Sequence, residues 1–385
     1  MRLDIHITGL GLVGSAGSTP EENWQSLRRG ENNFSRESTI TQSRLNSKTE
    51  ASFSDLQKDK YLKLVDRVAL MGITVAKQAA SNHERDVIDE ALVLMGTSRG
   101  SVGVLEKNLK DFQTGKNLEK YLSLATHIGS LSSSISHAMN STGNSLTIGA
   151  ACTSGLQAIG IAAILLQTGQ GQSAIAGASE SPLTEFTVKQ LSALGVLAPS
   201  SNAPYPNRPF HPSRTGAVYG EGAAAVFLET KPTLPSLGII RGYAAAFEKG
   251  MNPGLTENAE SLYFAVSNAL KFAELKPSDI DVIVGHGSGT LAGDSAENFC
   301  YQNIFGDSQP LLAFNKWSIG HFVGGAGAAN AVVACMHLRD DFVPAHPYFE
   351  AEHEMGKSHS KKLRYALVTS LGMGGGANAM IIEKA

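Results

Sequence analysis

The chain has 385 residues, 42% of them apolar and 17% charged, and a net charge of −3. That is enough for a large core, built as one large domain or two merged halves. It carries neither the basic excess of a nucleic-acid binder nor the acidic block of a disordered tail.

Cys152, Cys300 and Cys335 are the only cysteines, and no C-x-x-C spacing joins them. Neither a disulfide framework nor a zinc site is indicated, so a reducing, cytoplasmic setting is expected, with no metal. Charge interrupts the start at Arg2 and Asp4, before a signal-peptide core could form. No apolar run approaches the ~18 residues of a membrane span.

In chain order, Leu3 to Thr8 reads as a first strand. Gly9-Leu10-Gly11-Leu12-Val13-Gly14 matches G-x-G-x-x-G, but a dinucleotide site needs a helix to open there, and Ser15-Ala16-Gly17-Ser18 continues the loop. The helix signal comes at Thr19-Pro20-Glu21-Glu22, a capping box with proline at the first helical position. Residues 30–60 are polar and aperiodic and read as a surface excursion. Tyr61 to Ala80 has helical spacing, Ala91 to Gly96 is a buried strand, and Val102 to Phe112 and Ile128 to His137 are helical.

Ser145 to Ile148 is a short strand. It leads through Gly149-Ala150-Ala151-Cys152-Thr153-Ser154-Gly155 into a run, Leu156 to Leu166, that is apolar almost all round, as in a buried helix. Cys152 would then stand at a helix N-terminus, where the dipole and free N–H groups favour a thiolate nucleophile. The competing reading is an inert core cysteine.

Ser173 to Ala178 is a small-residue strand. Ala198 to Arg214 is a proline-rich irregular loop, and Gly222 to Leu228 is a strand. The chain restarts near Lys231-Pro232, dividing it into 1–232 and 233–385. The second part reads as strand Leu237 to Tyr243, helix Leu262 to Phe272, strands Ile280 to Gly285 and Leu311 to Phe314, helix Ala326 to Leu338, and strands Tyr365 to Ser370 and Ala379 to Ile382. Two α/β units of similar topology are expected.

Three further stretches place polar residues and glycines after apolar strands, where ligand sites form in α/β sheets. They are Gly285-His286-Gly287-Ser288-Gly289-Thr290 running to Asp294, Asn315-Lys316-Trp317-Ser318-Ile319-Gly320-His321, and Leu371-Gly372-Met373-Gly374-Gly375-Gly376. Taken singly, each histidine is more often a structural hydrogen-bonding residue than a catalyst. Asp294-Ser295-Ala296-Glu297 is equally a capping pair, and the Gly374 run a tight hairpin.

Taken together, Gly-Ala-Ala-Cys152-Thr-Ser-Gly, His286-Gly-Ser-Gly-Thr-x-x-Gly-Asp-x-x-Glu297, Lys316-x-x-x-x-His321-x-x-Gly-x-x-Gly and Arg208-Pro-Phe-x-x-x-Arg214-x-Gly-x-x-x-Gly-Glu-Gly222 resemble the elongating β-ketoacyl-acyl-carrier-protein synthases, from Gly9 to Ile382. The resemblance implies a thiolase fold, two similar α/β halves packed as a five-layered αβαβα core, working as a homodimer or with a homologous ketosynthase-like subunit. It implies no cofactor of its own, the substrates arriving on the phosphopantetheine of an acyl carrier protein.

By resemblance, Cys152 takes the acyl chain, and His286 and His321 assist decarboxylation of a malonyl unit and steady the enolate. Lys316 pairs with Glu297 in the shell behind, beside Asp294. Ser288 and Thr290 hold the pantetheine arm. The Cys152 and Met373 N–H groups would form the oxyanion hole. The loop Leu371, Met373 and Gly374 carries the gate, where Met373 replaces the family's usual phenylalanine and is more flexible. This departure points to a specialised pathway such as a polyene or other polyketide-like lipid. Lys58, Lys60, Lys63 and Arg208 are the expected docking bases for an acidic carrier.

A degradative thiolase would need a second cysteine in the C-terminal glycine loop, and Leu371 to Asn378 has none. An initiating synthase would carry asparagine at His321, and a chain-length partner subunit typically lacks the nucleophile.

Overall fold

Small and β-branched runs build ten strands of one mixed sheet in this computed structural model, which describes residues 2–36, 40–200, 203–250, 256–306 and 308–385. The first half supplies β1 (Ile5–Val13), β2 (Leu92–Gly96), β3 (Ser145–Ile148), β4 (Ser173–Glu180) and β5 (Gly222–Glu229). The second supplies β6 (Gly238–Phe247), β7 (Val282–Val284) and β8 (Leu311–Ala313). After a short antiparallel pair, β9 (Phe342–Val343) and β10 (His359–Ser360), it adds β11 (Tyr365–Gly372) and β12 (Gly376–Glu383).

The spatial order is β3-β2-β4-β5-β1-β6-β12-β11-β7-β8. Read outward from the centre, both halves follow one plan. The first strand lies antiparallel to the fifth, the fifth antiparallel to the fourth, the fourth parallel to the second and the second parallel to the third. The halves join where Ile5 pairs with Ile240 and Ile7 with Gly238.

Helices Ser154–Gln167 and Ala326–Asp340 pack on each other and on strands of both halves, forming the central layer. Helices Arg67–Ala79 and Ser130–Met139 cover the outside of the first half, and Glu260–Ala273 and Leu291–Phe305 that of the second. The result is the expected five layers. One apolar cluster fills the space around the central helices, and one fills the space under each outer pair. Residues Ala326 to Leu338 are all buried, as a helix without a polar face requires.

Several local expectations change. β1 runs on through the glycine motif to Val13, because the helix Arg67–Ala79 lies against it. A Cβ on Gly9 would overlap Ala79 O, and one on Gly11 would overlap Val75 O. The motif serves close helix–strand packing, not a phosphate.

The expected helix Tyr61 to Ala80 is broken. A 3₁₀ turn, Leu62–Leu64, is followed by Val65, and Asp66 then caps a new helix by accepting Val68 N–H at 3.0 Å. The polar stretch 30–60 is not all surface. Thr41, Gln42, Ser43 and Leu45 are buried, and Ser47–Leu56 is a helix. Ser43 Oγ donates to Ile319 O at 2.5 Å, so this segment backs the His321 loop. Residues 37–39 of that stretch, and 201–202 of the proline-rich loop, lie outside the described residues. Among the described residues, no helix is long and apolar enough to cross a membrane.

Candidate active site

β3 ends at Ile148, and the chain turns through Gly149 to Thr153 before the helix Ser154–Gln167 begins. Ala151 sits in left-handed backbone at φ 48°, a conformation that costs a residue with a Cβ and persists only where the surroundings enforce it. Here they do. Thr153 Oγ1 donates to Ala150 O at 2.6 Å, Ser154 Oγ donates to Ala151 O at 2.7 Å, and Ala150 N–H donates to Ser154 Oγ at 2.8 Å. The second half adds Ser370 Oγ to Cys152 O at 2.9 Å and Asn378 Nδ2 to Thr153 O at 3.1 Å.

Cys152 is buried, standing just ahead of the cap residue Thr153 rather than in the first helical turn. Burial dominates its chemistry and pushes the thiol up to about 11, against the thiolate expected from the helix terminus. The Lys316 charge pulls it back, Glu180 pushes it further up, and a hydrogen bond from Met373 N–H to the sulfur pulls it down. At rest, Cys152 is a thiol beside a cation and a donor.

His286 follows β7. Glu297, wholly buried in the helix Leu291–Phe305, accepts His286 N–H at 2.6 Å and Gly287 N–H at 2.8 Å. Tyr301 O–H donates to the same carboxylate at 2.6 Å. Lys316, also buried, donates through Nζ to the His286 carbonyl. The ion pair implied for Lys316 and Glu297 is therefore not direct. The oxygens of Glu297 are taken by main-chain N–H groups and a phenol, and the two charges hold opposite sides of one peptide loop. Burial pushes Lys316 down and Glu297 up.

His321 follows β8 and the short helix Lys316–Ile319. Its main chain is bridged to the first half, with its N–H donating to Val218 O at 2.8 Å and Gly220 N–H donating to its carbonyl at 2.9 Å. The two imidazoles meet edge to face, their centroids 5.2 Å apart. Each Nδ1 is buried without a partner. Burial first, and the Lys316 charge next, hold both rings well below the ordinary histidine value, so both are neutral near pH 7.

Asp294 is buried and accepts Phe210 N–H at 2.8 Å and Gly289 N–H at 3.0 Å. It is a brace inside the helix, not a capping residue. Ser288 Oγ lies 2.8 Å from Thr290 Oγ1 and donates to Asp294 Oδ1 at 3.2 Å. Arg214, from the proline-rich loop, holds the same loop through Thr290 O at 3.2 Å and Leu291 O at 3.0 Å.

β11 and β12 form a hairpin whose turn, Gly374 and Gly375, has φ 95° at both residues, the left-handed region that glycine occupies freely. Leu371 is buried at the end of β11. Met373 packs against the cluster of Cys152, Leu191, Ala217, Tyr219 and Val323.

The four docking bases are not brought together with this cluster. Lys58 is exposed and paired with Asp55, and Lys60 lies over the Tyr61 ring. Lys60 and Lys63 border an open groove of about 930 Å³ with Tyr61, Tyr121 and Leu124. Arg208 is half-buried with its Nε unpartnered, a poor rim cation. Among the described residues, no group of three or more His, Cys, Asp or Glu could hold a metal ion.

Two supporting residues carry no motif. Asn330 is wholly buried, donates to Gly285 O at 2.9 Å and Thr369 O at 3.2 Å, and accepts from Asn315 Nδ2 at 3.0 Å. Glu180 accepts Ser98 N–H at 2.6 Å and Gly324 N–H at 3.0 Å. An asparagine amid the small apolar residues of a helix, and a carboxylate closing a small-residue strand, are the signals that mark them, because buried polar groups are hydrogen-bonded.

The family model for the β-ketoacyl synthase N-terminal domain matches residues 3–233, and that for the C-terminal domain matches residues 237–350. The chain is 26% identical over 408 residues to a putative polyketide beta-ketoacyl synthase 1 of Streptomyces halstedii, covering 98% of this chain and 97% of the relative. It is 25% identical over 415 residues to 3-oxoacyl-[acyl-carrier-protein] synthase 2 of Rhizobium meliloti, covering 98% of each. The solved ishigamide ketosynthase/chain length factor superposes with a TM-score of 0.89 at 21% identity over 100% of both chains. The ketosynthase ApeO in complex with its chain length factor ApeC from Xenorhabdus doucetiae gives a TM-score of 0.83 at 20% identity, covering 100% of this chain and 98% of that one. These likenesses show the thiolase fold, and with the two family models they establish that this chain belongs to the β-ketoacyl synthase family.

Proposed function

We propose that the protein is an elongating β-ketoacyl-acyl-carrier-protein synthase acting in a polyketide- or polyene-type lipid pathway. The observation that carries this reading is the convergence of one strained-turn thiol, two neutral imidazoles and a buried lysine.

Cys152 sulfur attacks the acyl thioester carbonyl, and its proton leaves with the thiol of the carrier arm. The carbonyl oxygen, as it gains charge, accepts the N–H groups of Cys152 and Met373. Malonyl thioester then loses CO₂, and the resulting enolate oxygen accepts Nε2–H bonds from His286 and His321. Two neutral imidazoles can each donate without adding a charge of their own to the pocket. The enolate carbon forms the new C–C bond to the acyl carbonyl, and collapse of the tetrahedral adduct expels Cys152.

Lys316 pulls the thiol toward thiolate and fixes the His286 loop, with Glu297 and Asp294 as positioning residues. Ser288 and Thr290 receive the pantetheine arm, no cofactor beyond that arm is required, and Leu371, Met373 and Gly374 form the gate. Lys58, Lys60 and Lys63 meet the carrier protein, with Arg208 of the proline-rich loop as a further base.

The working unit is a dimer with a second copy or a homologous ketosynthase-like subunit. β3 is an edge strand with Leu146 exposed, and Leu105, Leu109 and Phe112 form an uncovered apolar stripe on the helix Val102–Gln113.

The test is intact-mass analysis after incubation with a panel of acyl carrier protein thioesters. An acyl adduct on wild type that is absent from Cys152→Ala is expected. Labelling of the alanine variant at the wild-type rate would place the nucleophile elsewhere.

A further inference from the structure

Tyr219 fills an unspecified position of the Arg208-to-Gly222 motif, yet it forms one wall of the site. It lies on the segment leading into β5, and the hydrogen bonds of Val218 and Gly220 to His321 lock its main chain beside that histidine. Its ring stacks on the His321 imidazole, centroids 5.1 Å apart and planes inclined by 17°. The residue is 5% exposed and packs in the cluster that holds Cys152, Ala217 and Met373.

The buried phenols elsewhere are sealed by the protein. Tyr301 O–H donates to Glu297 at 2.6 Å, and the unpartnered hydroxyls of Tyr243 and Tyr348 have no open surface. The Tyr219 hydroxyl is neither hydrogen-bonded among the described residues nor closed off. Burial, and then the neighbouring Cys152, push its ionisation upward, so it remains a neutral donor throughout the working range.

A free donor beside the nucleophile discriminates between ligands. A hydrocarbon chain would strip it of water and leave it unpaired, whereas a chain bearing an oxygen would satisfy it.

Resting on the condensing reading above, we propose that Tyr219 is a specificity-determining residue. Its phenolic O–H donates to an oxygen carried by the acyl chain near the thioester, so the site favours 3-oxoacyl chains over saturated ones.

The experiment offers wild type and Tyr219→Phe an equimolar mixture of hexanoyl and 3-oxohexanoyl pantetheine thioesters and reads the ratio of the two Cys152 adducts by intact mass at early times. Phenylalanine keeps the stack on His321 and removes only the hydroxyl. Wild type is expected to favour the 3-oxo adduct, and the substitution to lower that ratio by about tenfold or more, as for a site built around a substrate oxygen. A purely structural role would slow both adducts together and leave the ratio unchanged, which overturns the proposal, as does a wild type with no preference. A wild type that takes neither thioester overturns the condensing reading itself.

Discussion

The third strand of each half ends at corresponding places in the fold, and the two ends carry different chemistry. β3 passes through a short strained turn into the helix Ser154–Gln167 and leaves Cys152 just ahead of it. β8 first makes the four-residue helix Lys316–Ile319 and then delivers His321, before the helix Ala326–Asp340 begins. Those two long helices pack on each other at the centre. The same pseudo-symmetric position therefore supplies a thiol from one half, and a cation and an imidazole from the other.

The link from fourth to fifth strand differs as sharply. In the second half it is the tight Met373 turn. In the first it is residues 181–221, which bring Arg214 to the His286 loop and Tyr219 to His321. Two halves of one strand plan become one site because different side chains stand where their strands end, and neither half contains a complete set of groups.

This contrast can be broken most severely on the first half's side. Cys152→Ala should abolish condensation outright, since Cys300 and Cys335 are buried within helices and lack free N–H groups to hold a charged oxygen. Condensation surviving in that variant, measured as 3-ketoacyl product, would sink the assignment.

On the second half's side, His286→Ala or His321→Ala should cut malonyl decarboxylation by ~10²–10³-fold, the typical loss for one positioned donor. Acylation of Cys152 should fall much less in the same variants, because Met373 N–H and the nucleophile's turn remain. Release of CO₂ at the wild-type rate in either variant would remove that histidine from the enolate step.

The dependence of one half on the other is sharpened by pH. The thiol sits near 11 and is protonated below that. Alkylation by iodoacetamide follows the thiolate fraction, so its rate should climb ~tenfold per pH unit from pH 7 to about 10. Lys316→Met removes the cation that pulls the thiol down and should slow alkylation near pH 7, an effect that fades above about 8, where burial leaves Lys316 uncharged. A flat profile in wild type would mean the thiolate is already formed at rest.

The smallest effect belongs to the groove of the first half. Lys60→Glu with Lys63→Glu should raise KM for a carrier-bound thioester by about threefold to tenfold and weaken its salt dependence, because rim charges act on encounter. Turnover of a pantetheine thioester should not follow. Equal loss of both would make the lysines structural.

Much of the fold was legible from periodicity. The strand–helix alternation and the all-apolar central helices follow from burial patterns that any packing must respect. Where expectation failed, a distant partner decided. The glycine motif reads as a loop until the helix Arg67–Ala79 is laid against β1. The polar stretch 30–60 reads as surface until Ser43 is found behind the His321 loop. Lys58, Lys60 and Lys63 lie where a 3₁₀ turn replaces the start of the expected helix, so helical spacing gave no sign of which way they would face.

For the site, the sequence by itself singled out the candidate residues, since a cysteine, two histidines and a lysine in glycine-rich strand ends form an ordered pattern that chance does not produce. Tertiary structure alone decided their state. Burial made Cys152 a resting thiol and both imidazoles neutral, because removing water penalises every charged form. It gave Glu297 to the main chain instead of to Lys316, and it set the free hydroxyl of Tyr219 against His321. Those outcomes depend on what surrounds each group in three dimensions, and residues hundreds of positions apart supply those surroundings.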